Sequence, residues 1–458
     1  MRVAIIGAGP AGMAAAITLI KNNVRVTLFD ENSGVGGQIY RNLKNQSDRN
    51  VRVFGSDYFK GRYLLNQIEA ASKTPLLILK YRATIWSVTA QKQVSWSVGG
   101  SSFSQQFDAI ILATGAIERA MPVEGWTNPG VMSAGAAQIL MKTAAYAPAN
   151  SVLIGSGPLL YVVACQMIEM GKPPIALLET QTRQDLTAAI RQLCFSAPML
   201  TYLMKGIGML CTLKFAGIKR IKAITNVRIR SQNKHHIIQF NKGNTEHHIE
   251  AETVLLHAGV HPNIQLTQAL GLMHHWSNEN LSLEPVTDDF GRTTVQDILL
   301  AGDGMKILGA DAAKQSGELA ALALLMDTGF AIAPFDLSKR HAQQKKYFRV
   351  RKLLELLYPP KNWHSYPSDT TIICRCEEVT AGEVRHAIKM GCAGPNQLKA
   401  YSRCGMGNCQ GRFCGLTVVN LISDMIGSPA GEVGYFRIRT PIKPITLEEM
   451  ANHETISD

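Results

Sequence analysis

Three stretches of the chain share one pattern, an unbroken apolar run closed by a glycine turn. They are VAIIGAGPAG from Val3, SVLIGSGPLL from Ser151 and ILLAGDG from Ile298. Strand-like and helix-like patterns alternate between them, which predicts α/β architecture with parallel sheets wound by helices. The first two stretches are similar enough to predict two related nucleotide-type domains. From Asn226 to Leu256 the pattern changes to alternating strands, with Lys242-Gly243-Asn244 as a hairpin turn. The pairs His235/His236 and His247/His248 flank that turn. Neighbours on a strand face opposite ways, so neither pair makes a bidentate metal site, and a solvated hairpin is expected. The apolar segment Leu193 to Ile218 is broken by Pro198, Lys205 and Lys214. It reads as a buried or partner-facing helix and not as a membrane span. LYPPKNWHSYPSD (Leu357 to Asp369) is proline-rich and marks the clearest domain boundary.

Composition narrows the class. At 458 residues with 46% hydrophobic and 18% charged positions, the chain has material for several packed domains and is not disordered. The start, MRVAIIGAGP, lacks the basic and long apolar stretches of a cleavable signal, so a folded N-terminus is expected. The net charge of +12 includes the cluster Lys339 to Lys352, read as a solvated helix face. Tyr347 and Phe348 are too few to form a base-stacking platform, so no nucleic-acid partner is expected. Six of the nine cysteines fall between Cys374 and Cys414. With no secretory signal, that clustering points to a metal site before it points to disulfides.

Gly7-Ala8-Gly9-Pro10-Ala11-Gly12 follows a strand and opens the helical run from Met13. Gly7 permits the tight turn, Gly9 lets the backbone approach a pyrophosphate, and Gly12 allows helix to pack on strand. Asp30, with Glu31 beside it, ends the next strand, where a carboxylate can take ribose hydroxyls. Gly36-Gly37-Gln38 supplies a second close backbone approach. With Ala113-Thr114-Gly115 and the late turn Gly302-Asp303, these motifs resemble the FAD signature of two-dinucleotide-domain flavoproteins. That resemblance implies that Asp303 bonds the ribityl chain, and FAD is the expected cofactor. In the second loop, Gly155-Ser156-Gly157-Pro158-Leu159-Leu160, Leu160 stands where the third glycine belongs. Glu179 ends the following strand as a ribose partner. The expectation is a vestigial or differently occupied nucleotide fold, an adenine nucleotide being one occupant, and no reduction by NADH. A disulfide reductase is disfavoured because no C-x-x-C pair occurs.

The cysteine segment opens on Cys374-x-Cys376 and ends on Cys409-x4-Cys414, with Cys404 and Cys392 inside. Four thiolates suffice for a [2Fe–2S] cluster, and the one-residue spacer argues against a zinc ribbon. The spacing resembles the bacterioferritin-associated ferredoxin module, which ends in C-x2-C, so Cys404 or Cys414 can be the fourth ligand. Cys374, Cys376, Cys409 and Cys414 are the favoured set, with Gly405, Gly407 and Gly411 forming turns that aim backbone N–H groups at the cluster.

GWTNPGVMSAGAAQIL (Gly125 to Leu140), HAGVHPN (His257 to Asn263), SRCGMGNCQGRFCG and RIRTPIKPI resemble the FAD-dependent amino-acid and opine dehydrogenase A (α) subunits. This group includes the A subunits of octopine and nopaline oxidases, the larger FAD subunit of hydrogen cyanide synthase, and the α subunit of D-hydroxyproline dehydrogenase. The resemblance implies a partner, a smaller flavoprotein subunit like an amino-acid oxidase, that oxidises a C–N bond. This chain would then relay the electrons to an acceptor such as a quinone or cytochrome chain. The self-sufficient NAD(P)H-dependent acceptor reductase is the alternative. The expected setting is cytoplasmic, or peripheral at the inner membrane. The expected domains are an FAD-binding domain in two parts (1–148 and 262–335) around a nucleotide-binding insertion (149–261), a basic helix and linker (336–369), the cluster module (370–425) and a tail (426–458).

Overall fold

The computed structural model describes residues 1–193, 197–233, 235–331, 334–361 and 367–456. Cys194 and the middle of the proline-rich linker, 362–366, lie outside them.

Two five-stranded sheets carry the architecture. In the first, strands at 298–300, 109–112, 2–6, 25–29 and 77–80 lie side by side, all parallel. In the second the order is 219–222, 176–179, 151–155, 253–257 and 131–133, again all parallel. Their central strands are unbroken apolar runs because helices cover both faces of a parallel sheet. Val3, Ala4 and Ile5 are fully buried, as are Val152, Leu153 and Ile154. The helix Pro10–Lys21 packs against Ala310–Asp327, and Gly317 is what lets them touch: a Cβ there would lie 2.0 Å from the Ala11 carbonyl oxygen.

The 224–251 segment forms the expected antiparallel hairpin, with Gly243-Asn244 at its turn. His235, His247 and His248 are solvated there, but His236 is buried and bonded to Ser231 Oγ at 3.0 Å, since strand alternation turns it to the inner face. The basic stretch lies on the helix Pro334–Leu357, which exposes Lys345, Lys346 and Arg349 and buries Val350 and Leu353.

The apolar segment forms the helix Ala197–Phe215, but it is not a buried one. Only Met199 and Leu213 are covered, while Leu200, Met204, Ile207 and Phe215 are more than half exposed. Among the described residues no helix is long and apolar enough to cross a membrane.

The C-terminal segment returns to the first domain. Its strand His453–Ile456 pairs parallel to Ser101–Gln106 at the edge of an antiparallel meander. Trp96 of that meander, fully buried, lies 4.9 Å from Phe29 between ring centroids. The same apolar core runs from Ile110, Leu112 and Leu300 of the first sheet to Ile373, Cys374, Val418 and Phe436. The cysteine segment is thereby fused to the sheet and not tethered to it.

Candidate functional site

At the C-terminal ends of the first sheet's strands, four glycine turns converge. Gly7 has φ +105°, a conformation that side chains disfavour, and a Cβ there would stand 2.3 Å from the Ala113 carbonyl oxygen. A Cβ on Gly12 would lie 1.8 Å from the Gly7 carbonyl oxygen, and one on Gly37 would lie 2.8 Å from Gly9 Cα. Thr114 Oγ1 donates to the Asn263 carbonyl at 3.2 Å, and the Gly115 carbonyl accepts from Asn263 N at 3.0 Å. Gly302 N donates to Ser316 Oγ at 3.0 Å. Pro10 opens the first helix, where its missing N–H costs nothing, and Ala11 is buried against the 310–327 helix. Gly9 differs from its neighbours: it has φ −73°, and its nearest contact would be Gly37 Cα at 3.9 Å. Its side-chain direction opens into space at the N-terminus of a helix, which suits a pyrophosphate.

Asp30 braces this loop. Its Oδ2 accepts from Ala8 N at 2.7 Å, and its Oδ1 accepts from Asn32 N at 2.8 Å and Asn32 Nδ2 at 2.7 Å, which leaves one lone pair, on Oδ2, for a ribose hydroxyl. Asp303 uses Oδ1 alone, accepting from Leu308 N at 2.9 Å and Gly309 N at 3.2 Å. Two sequence-selected residues turn elsewhere. Glu31 pairs with Lys443 of the C-terminal segment, and Gln38 is exposed, its Oε1 accepting from Arg41. Lys142 was not foreseen from the sequence. Buried on the helix Ala134–Ala144, it donates to the carbonyls of Gln38 (3.1 Å) and Ile39 (2.9 Å), holding the second glycine loop in place. Burial pushes its pKa down to about 7. No local pattern around Lys142 announces this contact, which spans about a hundred positions.

The glycine loop of the second sheet is differently furnished. Glu179, expected to meet a ribose, is fully buried and already engaged: Arg220 donates to it from Nε at 2.6 Å and Nη2 at 3.0 Å, and Tyr161 from its hydroxyl at 3.0 Å. It is therefore not a ribose acceptor, because its lone pairs point at internal donors. His257 closes on the loop as well, its Nε2 lying 2.9 Å from where a Gly157 Cβ would be. Its Nδ1 meets Glu118 Oε1 at 2.6 Å. Leu160 is fully buried in this domain's helical layer.

The cysteine segment brings five thiols together. The Sγ atoms of Cys374, Cys404 and Cys414 all lie within 4.8 Å of one another, and all three residues are buried. Cys404 and Cys414 donate to Cys374, and with the amides of Gly405 and Glu377 they draw its pKa far down. Cys376, at the surface, faces Cys409 and accepts from its backbone N–H. Cys392 turns away to the Gly394 carbonyl at 3.4 Å. Gly407 is fixed by packing: a Cβ there would sit 2.2 Å from Cys376 Cβ. Gly411 makes room for Phe436. The Trp126 indole, from the GWTNPG motif, donates to the Ile372 carbonyl at 2.6 Å, pinning the start of the segment to the flavoprotein body. Five soft donors with inward-pointing amides suit an iron–sulfur cluster or a thiolate-bound metal.

A doubly wound sheet with converging glycine turns, joined to a second sheet of the same kind, defines a two-dinucleotide-domain flavoprotein oxidoreductase of the FAD type. Residues 1–324 match the family described as pyridine nucleotide-disulphide oxidoreductase, and residues 368–453 match the sarcosine oxidase A3 domain. The A subunit of opine oxidase from Agrobacterium tumefaciens (strain Ach5) is 41% identical over 98% of this chain and 91% of its own length. The hydrogen cyanide synthase subunit HcnB of Pseudomonas protegens is 30% identical over 98% of this chain and 99% of its own. The chain belongs to this family of opine oxidase A subunits and their relatives. In fold it is similar to the L-proline dehydrogenase from P. horikoshii, with a TM-score of 0.68 at 21% identity over 98% of this chain and 79% of that one.

Proposed function

We propose that the chain is the FAD- and [2Fe–2S]-containing electron-transfer subunit of a hetero-oligomeric amino-acid dehydrogenase or oxidase of the opine, D-hydroxyproline or glycine type. A smaller flavoprotein subunit, like an amino-acid oxidase, removes the electrons from the C–N bond, and this chain passes them to an acceptor. The relatives' names, each that of one subunit of an enzyme, support this reading. The observation that carries it is the group of three buried thiols, Cys374, Cys404 and Cys414, set in the apolar core that the segment shares with the first sheet.

In this reading Gly7, Gly9, Pro10, Ala11 and Gly12 cradle the pyrophosphate of FAD, Asp30 takes the ribose and Asp303 the ribityl chain. Lys142 holds the Gly36-Gly37 loop against this cradle through the Gln38 and Ile39 carbonyls. Cys374, Cys376, Cys409 and Cys414 hold the cluster. When both groups are bound, FAD accepts electrons in pairs and the cluster carries them singly. The chain's residues supply insulation and direction: Cys374 and Cys414 lie on the buried side and Cys376 at the surface, towards an external acceptor. Gly405 and Cys409 turn backbone amides to the sulfurs of Cys374 and Cys376. No side chain here has to act as acid or base.

The engaged Glu179 argues against the rival reading, a self-sufficient NAD(P)H-dependent reductase. The test is anaerobic titration of the chain purified with its native partners. The amino-acid or opine substrate should bleach the flavin and, by reducing the iron centre, give rise to a paramagnetic signal only when the smaller subunit is present. Substrate reduction without the partner, or purified complex lacking iron, would sink the proposal.

A further inference from the structure

We infer that Cys404 is a reserve cluster ligand, able to take the place of Cys414 on the iron that Cys374 holds. This rests on the iron–sulfur reading above and adds a fifth thiol to it.

In a [2Fe–2S] cluster each iron takes two protein ligands. Cys376 and Cys409 face each other and account for one iron. The other iron falls to Cys374 and one more sulfur. Two candidates compete for that place, because Cys404 and Cys414 both lie within 4.8 Å of Cys374 and of each other. Thiolates on one tetrahedral metal stand about 3.8 Å apart, so a small side-chain rotation brings either into position. Both are buried, at 0% and 1% exposure, so neither is drawn off by solvent.

The two are not equivalent. Cys414 is the N-cap of the helix Gly415–Ile426, where the helix dipole favours an anionic sulfur. Cys404 follows Arg403, the C-cap of Pro395–Ser402, at the end where that dipole opposes negative charge. Cys414 is therefore the resting ligand and Cys404 the substitute. In the exchange an iron–sulfur bond to Cys414 breaks and one to Cys404 forms. The proton leaving Cys404 goes to the departing Cys414 thiolate, so the cluster's charge and electron count do not change.

The test uses the full chain with its FAD, comparing wild type, Cys404→Ala, Cys414→Ala and the double variant. Iron, acid-labile sulfide, visible circular dichroism and the paramagnetic signal after dithionite are measured on each. Cys404→Ala should match wild type. Cys414→Ala should keep its iron with shifted spectra, since hydrogen bonds to the ligand sulfurs tune the cluster. The double variant should lose iron by about tenfold or more while retaining FAD. Should Cys414→Ala not accumulate as folded protein, Cys414→Ser with and without Cys404→Ser supplies the same comparison in near-isosteric side chains. Equal iron in the single Cys414 variant and the double variant, whether both full or both lost, overturns the inference. Wild-type protein without iron or sulfide would overturn the iron–sulfur reading itself, a separately recognisable outcome.

Discussion

Gly9, at the N-cap of the helix Pro10–Lys21, and Gly12, in its first turn, lie three positions apart, yet a methyl group should act on them in opposite ways. On Gly12 it would be placed 1.8 Å from the Gly7 carbonyl oxygen and 3.0 Å from its carbon. Ordinary contact needs roughly 3.3 Å, so helix and turn must part by about 1.5 Å, beyond what side-chain adjustment absorbs. Overpacking of this kind costs about 1–3 kcal/mol and often more against backbone, so Gly12→Ala should lower the urea midpoint and yield little folded protein. On Gly9 the methyl meets nothing closer than 3.9 Å, and φ of −73° suits any residue. Gly9→Ala should therefore unfold at the wild-type urea concentration when both are stripped of FAD. Its affinity for FAD should nonetheless fall by about a hundredfold, roughly 2.7 kcal/mol, and Gly9→Val should bind none. The assay is flavin content on purification together with fluorescence titration of stripped protein. A Gly9→Val protein with full flavin content would refute the cradle, and a Gly9→Ala protein with a lowered midpoint would show that the open space is misread.

Other outcomes follow from the same geometry. Arg220→Ala leaves the Glu179 carboxylate buried without its cation and should cost about 3 kcal/mol, read from chemical denaturation; a change under about 1 kcal/mol would mean the pair is not desolvated as described. NADH and NADPH should not bleach the flavin under anaerobic conditions, and rapid bleaching would reinstate the reductase reading. Lys142 is held to about 7, below the unfolded lysine value, so between these pKa values the unfolded chain binds more protons and stability should rise with pH. Comparing denaturation midpoints of wild type and Lys142→Met from pH 7 to about 9 should show that rise in wild type alone, and parallel curves would refute the assignment.

The parallel sheets, the flavin fingerprint and the family were legible in the chain before any contact was known. Each of these is local: an apolar run and the glycine that ends it are adjacent, and Gly7 and Gly12 must be glycine because of backbone within the same loop or sheet. The thiol cluster was foreshadowed by spacing, since six cysteines in so short a stretch have few other uses. What those residues meet became visible only in three dimensions. Glu179 reads as a ribose acceptor until the neighbouring strand brings Arg220 to it and the helix below brings Tyr161. The apolar segment at 193–218 reads as buried or partner-facing, and packing within the chain leaves most of the helix at 197–215 open. Spacing along the chain favours Cys414 over Cys404 without deciding between them. Cys404 ends one helix and Cys414 begins another, and their sulfurs meet at Cys374 only because both helices close on the same core. Contacts set by chain closure, unlike turns set by φ, carry no signature in the local sequence.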